Sequence, residues 1–235
     1  MPDTSTKTPT FRDKSYIESR GIRFPKDGVF ITGRIRGSLR SGEYEAKEAA
    51  AVLKAVQDGD TVMELGAGVG FISSLVAIHK NVKAVHAFEA NPQLIPYIKS
   101  VYAENNITNA HIHNAILGPE KGTATFFVRQ NFLSSSLTRE DADGVIAEET
   151  IEIRETRATS QEIRPDVLIC DIEGAEQFVI PDMDLSSVRV AILELHPQWI
   201  GSKGVAAVFQ TMMAAGLVYF PKWSHAKVVV FRRDW

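Results

Sequence analysis

A single cysteine, Cys170, stands in 235 residues. That excludes an intramolecular disulfide, and one thiolate cannot build a structural zinc site. A basic surplus is also missing: 26 Lys and Arg face 29 Asp and Glu, a formal charge of -3. Proteins that grip nucleic acid through its phosphates carry the opposite balance, so no nucleic-acid partner is expected. No apolar stretch approaches the ~18–20 residues of a membrane span, and Met1–Thr10 shows no apolar core of a secretory signal. The expectation is a cytoplasmic protein without a membrane partner. Repeats and low-complexity tracts are absent, and nothing in the chain sets an oligomeric state.

What is present is the balance of an ordinary globule, 44% hydrophobic and 23% charged, enough to bury a core. The length fits one α/β domain over residues 41–235, preceded by a partly flexible arm over residues 1–40. Within that arm Met1–Lys14 reads as a tail, and Arg34, Arg36 and Arg40 as a solvated basic cluster. After a helical pattern over Glu45–Gln57, strands and helices alternate. Thr61–Leu65, Val82–Phe88, Ala110–Ala115, Asp166–Cys170 and Val188–Leu195 read as strands. Gly70–Lys80, Asn91–Asn105, Ala175–Ile180 and Val205–Ala215 read as helices. Gly122–Arg129 and Thr150–Arg154 form a two-strand insertion around a polar loop, and Leu217–Phe220 with Lys227–Phe231 a closing antiparallel hairpin. Near-continuous apolar strands separated by helices predict a Rossmann-like α/β fold: a mostly parallel, seven-strand-type sheet with helices on both faces.

In such a sheet ligands bind beyond the carboxyl ends of the strands. The first strand ends in Glu64 and breaks into the turn Gly66-Ala67-Gly68-Val69-Gly70-Phe71, where missing side chains let the backbone approach a ligand. The second ends in Glu89-Ala90, a carboxylate placed to accept from ribose hydroxyls. The third ends in Asn114-Ala115, where an adenine edge could be read. A dinucleotide fingerprint needs a further glycine three residues on, but Phe71 and Ser73 occupy the two possible positions. A phosphate-binding G-K-[ST] is missing too. Alternate glycines preceded by Glu64 suit a ligand with a positive sulfonium and no phosphate, which points to S-adenosylmethionine.

Glu64-Leu65-Gly66-Ala67-Gly68-Val69-Gly70 with Phe88-Glu89-Ala90-Asn91-Pro92 resembles class I S-adenosylmethionine-dependent methyltransferases. Asn131–Leu137, Asp171-Ile172-Glu173-Gly174-Ala175-Glu176 and Leu193-Glu194-Leu195-His196 extend the likeness to the FkbM-type methyltransferases, over about Glu43 to Phe231. The resemblance implies methylation of a hydroxyl on a small molecule such as a sugar or polyketide. Methylation of nitrogen or of a macromolecule is the first alternative, a nicotinamide-dependent oxidoreductase the second, and a catalytically silent cofactor-binding domain the third.

A hydroxyl acceptor must lose its proton, which makes strand-end acids and bases the catalytic candidates. Asp171 ends the fourth strand, either orienting acceptor and cofactor or capping the next helix. Glu173 is a base, a metal ligand or a second capping group. His196 ends the fifth strand and titrates near neutral pH, and Glu194 shares its sheet face. No ligand-spacing motif supports a metal, so none is expected. Ser135 and Ser136 in the long loop, and Trp223 and His225 in the closing hairpin, are candidate substrate contacts. Tyr44, with Glu45, precedes the first strand and is placed to fold back over the cofactor.

Overall fold

The computed structural model describes residues 15–129 and 145–234. Met1–Lys14 and the predicted substrate contacts Ser135 and Ser136 lie outside the described residues. The chain opens with a hairpin, β1 (Tyr16–Ser19) and β2 (Ile22–Pro25), followed by α1 (Gly33–Ser41) and α2 (Ala46–Ala55). Then come β3 (Thr61–Leu65), α3 (Phe71–His79), β4 (Ala84–Phe88), α4 (Leu94–Glu104) and β5 (Ala110–His113). A second sheet follows from β6 (Ala115–Gly118), β7 (Gly122–Arg129) and β8 (Val145–Glu155), closed by α5 (Thr156–Ile163). The chain returns through β9 (Val167–Cys170), α6 (Glu176–Asp182), β10 (Val190–Glu194) and α7 (Pro197–Ala214) to β11 (Val218–Tyr219) and β12 (Val228–Arg232).

The main sheet runs β11-β12-β10-β9-β3-β4-β5. β3, β4, β5, β9 and β10 pair in parallel, and β12 is antiparallel to both β10 and β11. Each face buries its own core. Val62, Val85, Val167, Ile169 and Ile192 face α2, α3 and α4, whereas Met63, Leu65, Leu168, Cys170 and Leu193 face α6 and α7. Alternation within each strand therefore serves two apolar layers, which is why these segments read as nearly unbroken hydrophobic runs.

Helix α7 starts at Pro197 rather than Val205 and β8 at Val145 rather than Thr150, and three larger departures from the sequence reading follow. The first is the insertion, which is three-stranded: the chain leaves the main sheet at Asn114 and β6 joins β8, which also pairs β7. No glycine or proline marks that exit in the sequence, only Asn114. Second, α5 forms from Thr156–Ile163, whose mean polarity gave no apolar stripe to find. Third, residues 16–41 contribute Ile17, Ile22, Phe24, Ile31, Ile35 and Leu39 to the core. Glycines there interrupt the periodicity but not the burial. Among the described residues no helix is long and apolar enough to cross a membrane.

Candidate active site

Strand register gathers the predicted residues at one end of the sheet. Leu65 and Leu193 both pair with Cys170, so Gly66, Asp171 and Glu194 follow side by side on three neighbouring strands. Gly66 has φ +87°, and a Cβ placed there would come 1.8 Å from the Asp171 carbonyl oxygen. Only glycine lets β3 turn this close to β9. The Gly66 and Ala67 amides donate to the Phe88 carbonyl, tying the turn to β4. Gly70, at φ +76°, starts α3, where an added Cβ would meet Ile98 at 3.0 Å.

Glu89 closes the turn from the far side. It is buried, and its carboxylate accepts the Gly68 amide at 2.8 Å and the Asn91 amide at 2.8 Å. Burial nevertheless lifts its pKa to about 7 against those hydrogen bonds. With the Ala90 amide as a third donor, the carboxylate still keeps acceptor capacity for a further donor. Asn114 directs its amide group at the Glu89 and Ala90 carbonyls, at 2.9 and 3.1 Å, so its donors hold the β4 turn. Phe71 and Ala115 are buried, and their side chains belong to the two cores. Tyr44 packs edge-on against Phe71 at 5.3 Å, and its hydroxyl reaches the open side of Gly68 and bonds Glu45.

Glu64 is 2% exposed, with one oxygen, Oε2, lacking a hydrogen-bond partner among the described residues. Burial raises its pKa to about 8, opposed by bonds from Ser73. With Glu45, Glu48, Asp171 and Glu194 it lines a cavity of about 20 Å³, room for one water or ion. The Asp171 pKa rises to about 7 through burial and then the charge of Glu194. Glu48, whose pKa is also lifted to about 7 by burial, shares a proton-mediated contact with Glu194.

His196 is buried beside this cavity. Its Nδ1 lies 2.6 Å from Oε1 of Glu176, which is wholly buried. Its Nε2 faces Glu173 at 3.2 Å, Asp171 at 3.6 Å and Glu194 at 4.0 Å. Burial opposes protonation of the ring, but the Glu176 bond and the charges of Glu173 and Asp171 outweigh it and raise the pKa. No side chain caps α6, so the capping role open to Asp171 and Glu173 is not used. Glu173 instead takes φ +50° before Gly174 at φ +101°, a turn that swings its carboxylate back toward His196.

Two contributors were not singled out from sequence as site groups. Glu176 reads there as an acidic residue at a helix start, and only its complete burial marks it as the histidine's partner. Glu48 lies in an alanine-rich helix with no cue that it faces the cavity. The closing hairpin does sit beside the β10 end, through the Leu195 amide donating to the Lys227 carbonyl. Within it Trp223 is engaged by Phe220 and by Arg232, whose guanidinium lies 4.5 Å above the ring, while His225 is exposed.

A family profile described as "Methyltransferase FkbM domain" matches residues 64–219. Among solved structures, Methyltransferase FkbM from Methylobacillus flagellatus KT aligns at TM-score 0.50 and 12% identity, over 88% of this chain and 55% of that one. TYW2 of M. jannaschii, solved in complex with AdoMet, aligns at TM-score 0.50 and 13% identity, over 92% and 83%. Trm5b from Pyrococcus abyssi aligns at TM-score 0.49 and 17% identity, over 92% and 54%. The chain thus spans about half the length of the first and third of these structures. No curated protein matches it in sequence.

Proposed function

Given that the chain belongs to the FkbM methyltransferase family, we propose that it transfers the methyl group of S-adenosylmethionine to a hydroxyl of a small molecule such as a sugar or polyketide. The observation that carries this reading is the pairing of the Gly66–Gly70 turn with Glu89, which clamps it while keeping lone pairs for ribose hydroxyls. Glu64, Glu45 and Asp171 surround the adjoining cavity with carboxyl groups, which a cationic ammonium and sulfonium would draw into their ionised form. Tyr44 covers the glycine turn from the opposite side.

Methyl transfer is an in-line displacement on carbon already activated by sulfur. The protein's main task is alignment, which can supply ~7–11 kcal/mol of the barrier in well-oriented systems. Asp171, Glu173 and His196 converge beside this cavity, where they hold the acceptor hydroxyl. Glu176 keeps the His196 ring fixed with Nε2 toward the acceptor. Dense negative charge here disfavours a phosphodiester acceptor, which supports a small molecule over nucleic acid.

The test is incubation with methyl-labelled S-adenosylmethionine and a panel of glycosides, hydroxylated polyketides and amines. Label in an ether product is the expected result; label in an amine product alone would overturn the hydroxyl reading. His196→Ala should lower turnover strongly with near-normal cofactor affinity. Unchanged turnover would remove His196 from the reaction.

A further inference from the structure

This end of the sheet gathers more carboxyl groups than the proposed cofactor can pair. Glu45, Glu48, Glu64, Asp171 and Glu194 line the cavity, and Glu173 and Glu176 flank His196. Among the described residues no lysine or arginine lies within ion-pair distance of any of them. S-adenosylmethionine brings a sulfonium and an ammonium against its own carboxylate, a net single positive charge. Three buried carboxylate oxygens also lack a hydrogen-bond partner among the described residues: Glu64 Oε2, Asp171 Oδ1 and Glu176 Oε2. Glu64, at 2% exposure, lines the same cavity as Asp171. Buried acceptors left this way normally await a donor or a cation.

The geometry around His196 suits a cation. One ligand atom each from Asp171, Glu173 and His196 lies within 4.8 Å of the other two. Nε2 is 3.2 Å from Glu173 and 3.6 Å from Asp171. Oxygen and nitrogen ligands held ~2.0–2.3 Å from one ion stand about 3 Å apart when adjacent and about 4.3 Å apart when opposite. Glu176 meanwhile accepts from Nδ1 at 2.6 Å, which leaves the Nε2 lone pair for the ion. A carboxylate behind a histidine is the usual outer support of a metal-ligating ring.

We propose that Asp171, Glu173 and His196 bind one divalent cation of the Mg²⁺/Mn²⁺ class, and that this ion holds the acceptor oxygen during methyl transfer. Two carboxylates with one imidazole match that class, with the nitrogen favouring Mn²⁺. The use of the ion rests on the hydroxyl-methylation reading; the ion site rests on the ligand geometry. With the ion in place His196 is a ligand and does not take the proton. The acceptor oxygen, bound to the cation, loses its proton to Glu194 and forms the new C–O bond with its electron pair. The C–S bond breaks, and its pair neutralises the sulfonium to a thioether. The sequence offers no spacing motif for this site because its ligands come from the ends of two neighbouring strands.

The experiment is Mn²⁺ titration of the chelator-treated full chain, followed by electron paramagnetic resonance, with S-adenosylmethionine binding measured separately by calorimetry. The expected result is one bound Mn²⁺ per chain. Glu176→Gln should weaken it about 10–100-fold, and Asp171→Asn and Glu173→Gln at least as much. Glu173 is exposed enough that its variant tests the site even where a buried substitution disturbs folding. Glu152→Gln, on the small sheet, should leave binding unchanged. No bound Mn²⁺, or binding that Asp171→Asn and Glu173→Gln leave intact, overturns the site. Cofactor binding without Mn²⁺ binding would sink the cation and spare the methylation reading. Site-dependent Mn²⁺ binding without cofactor binding would do the reverse.

Discussion

Gly66 shows how a single residue can decide whether the site exists. Its missing Cβ admits the Asp171 carbonyl, and its φ of +87° is costly for any other residue. Gly66→Ala is therefore expected to destabilise the fold by well over about 1 kcal/mol, measured by denaturant titration; unchanged stability would show that the turn relaxes freely. Glu64, Gly66, Glu89, Asp171 and His196 are legible as strand-end residues because each stands within two positions of the end of an apolar strand. Roles that depend on what lies opposite are not. Asn114 looked like a base-reading amide, yet its donors hold two carbonyls. Phe71 looked like a cofactor contact, and its ring is core, stacked on Phe24 at 5.9 Å.

Among the elements, α3 couples the N-terminal segment to the cofactor turn. Phe24 on β2 is wholly buried against Phe71, the first residue of α3, which in turn meets Tyr44. Phe24→Ala should cost about 3–5 kcal/mol of stability and weaken cofactor binding as well, read by thermal unfolding and calorimetry. A full loss of stability with undiminished affinity of the folded fraction would uncouple the two. The main-sheet strands and most helices were readable from period and length. The β1–β2 hairpin, β6 and α5 were not, because four-residue strands and a polar eight-residue helix carry too little pattern to separate from loop. Their order comes from contacts across the chain, such as Asn105 Nδ2 donating to the Arg23 carbonyl at 2.7 Å.

Across the whole molecule, a near-neutral surface charge conceals an acidic interior. The pKa values of Glu64 and Glu89 are pushed up to about 8 and about 7 by burial, with the charges of Glu89 and Asp171 adding to the rise at Glu64. Their pKa values are raised on folding, so the native state binds more protons than the unfolded chain between about pH 4.5 and 8. Stability from these groups is present in full below that window and lost as pH rises through it. Ligand-free protein should thus melt at progressively lower temperature from pH 5 to 8, and Glu64→Gln should flatten the decline. A melting temperature that climbs over this range would contradict the assignment. Cofactor affinity should rise over the same interval, as ionised carboxylates meet a cationic ligand.

The central claim is that the Gly66–Gly70 turn and Glu89 form an S-adenosylmethionine site. Isothermal calorimetry with S-adenosylmethionine, its demethylated product and NAD measures it directly. Saturable binding of the first two, no NAD binding and a strong loss of affinity in Glu89→Ala are the expected results. Tight NAD binding with no response to S-adenosylmethionine would contradict the account.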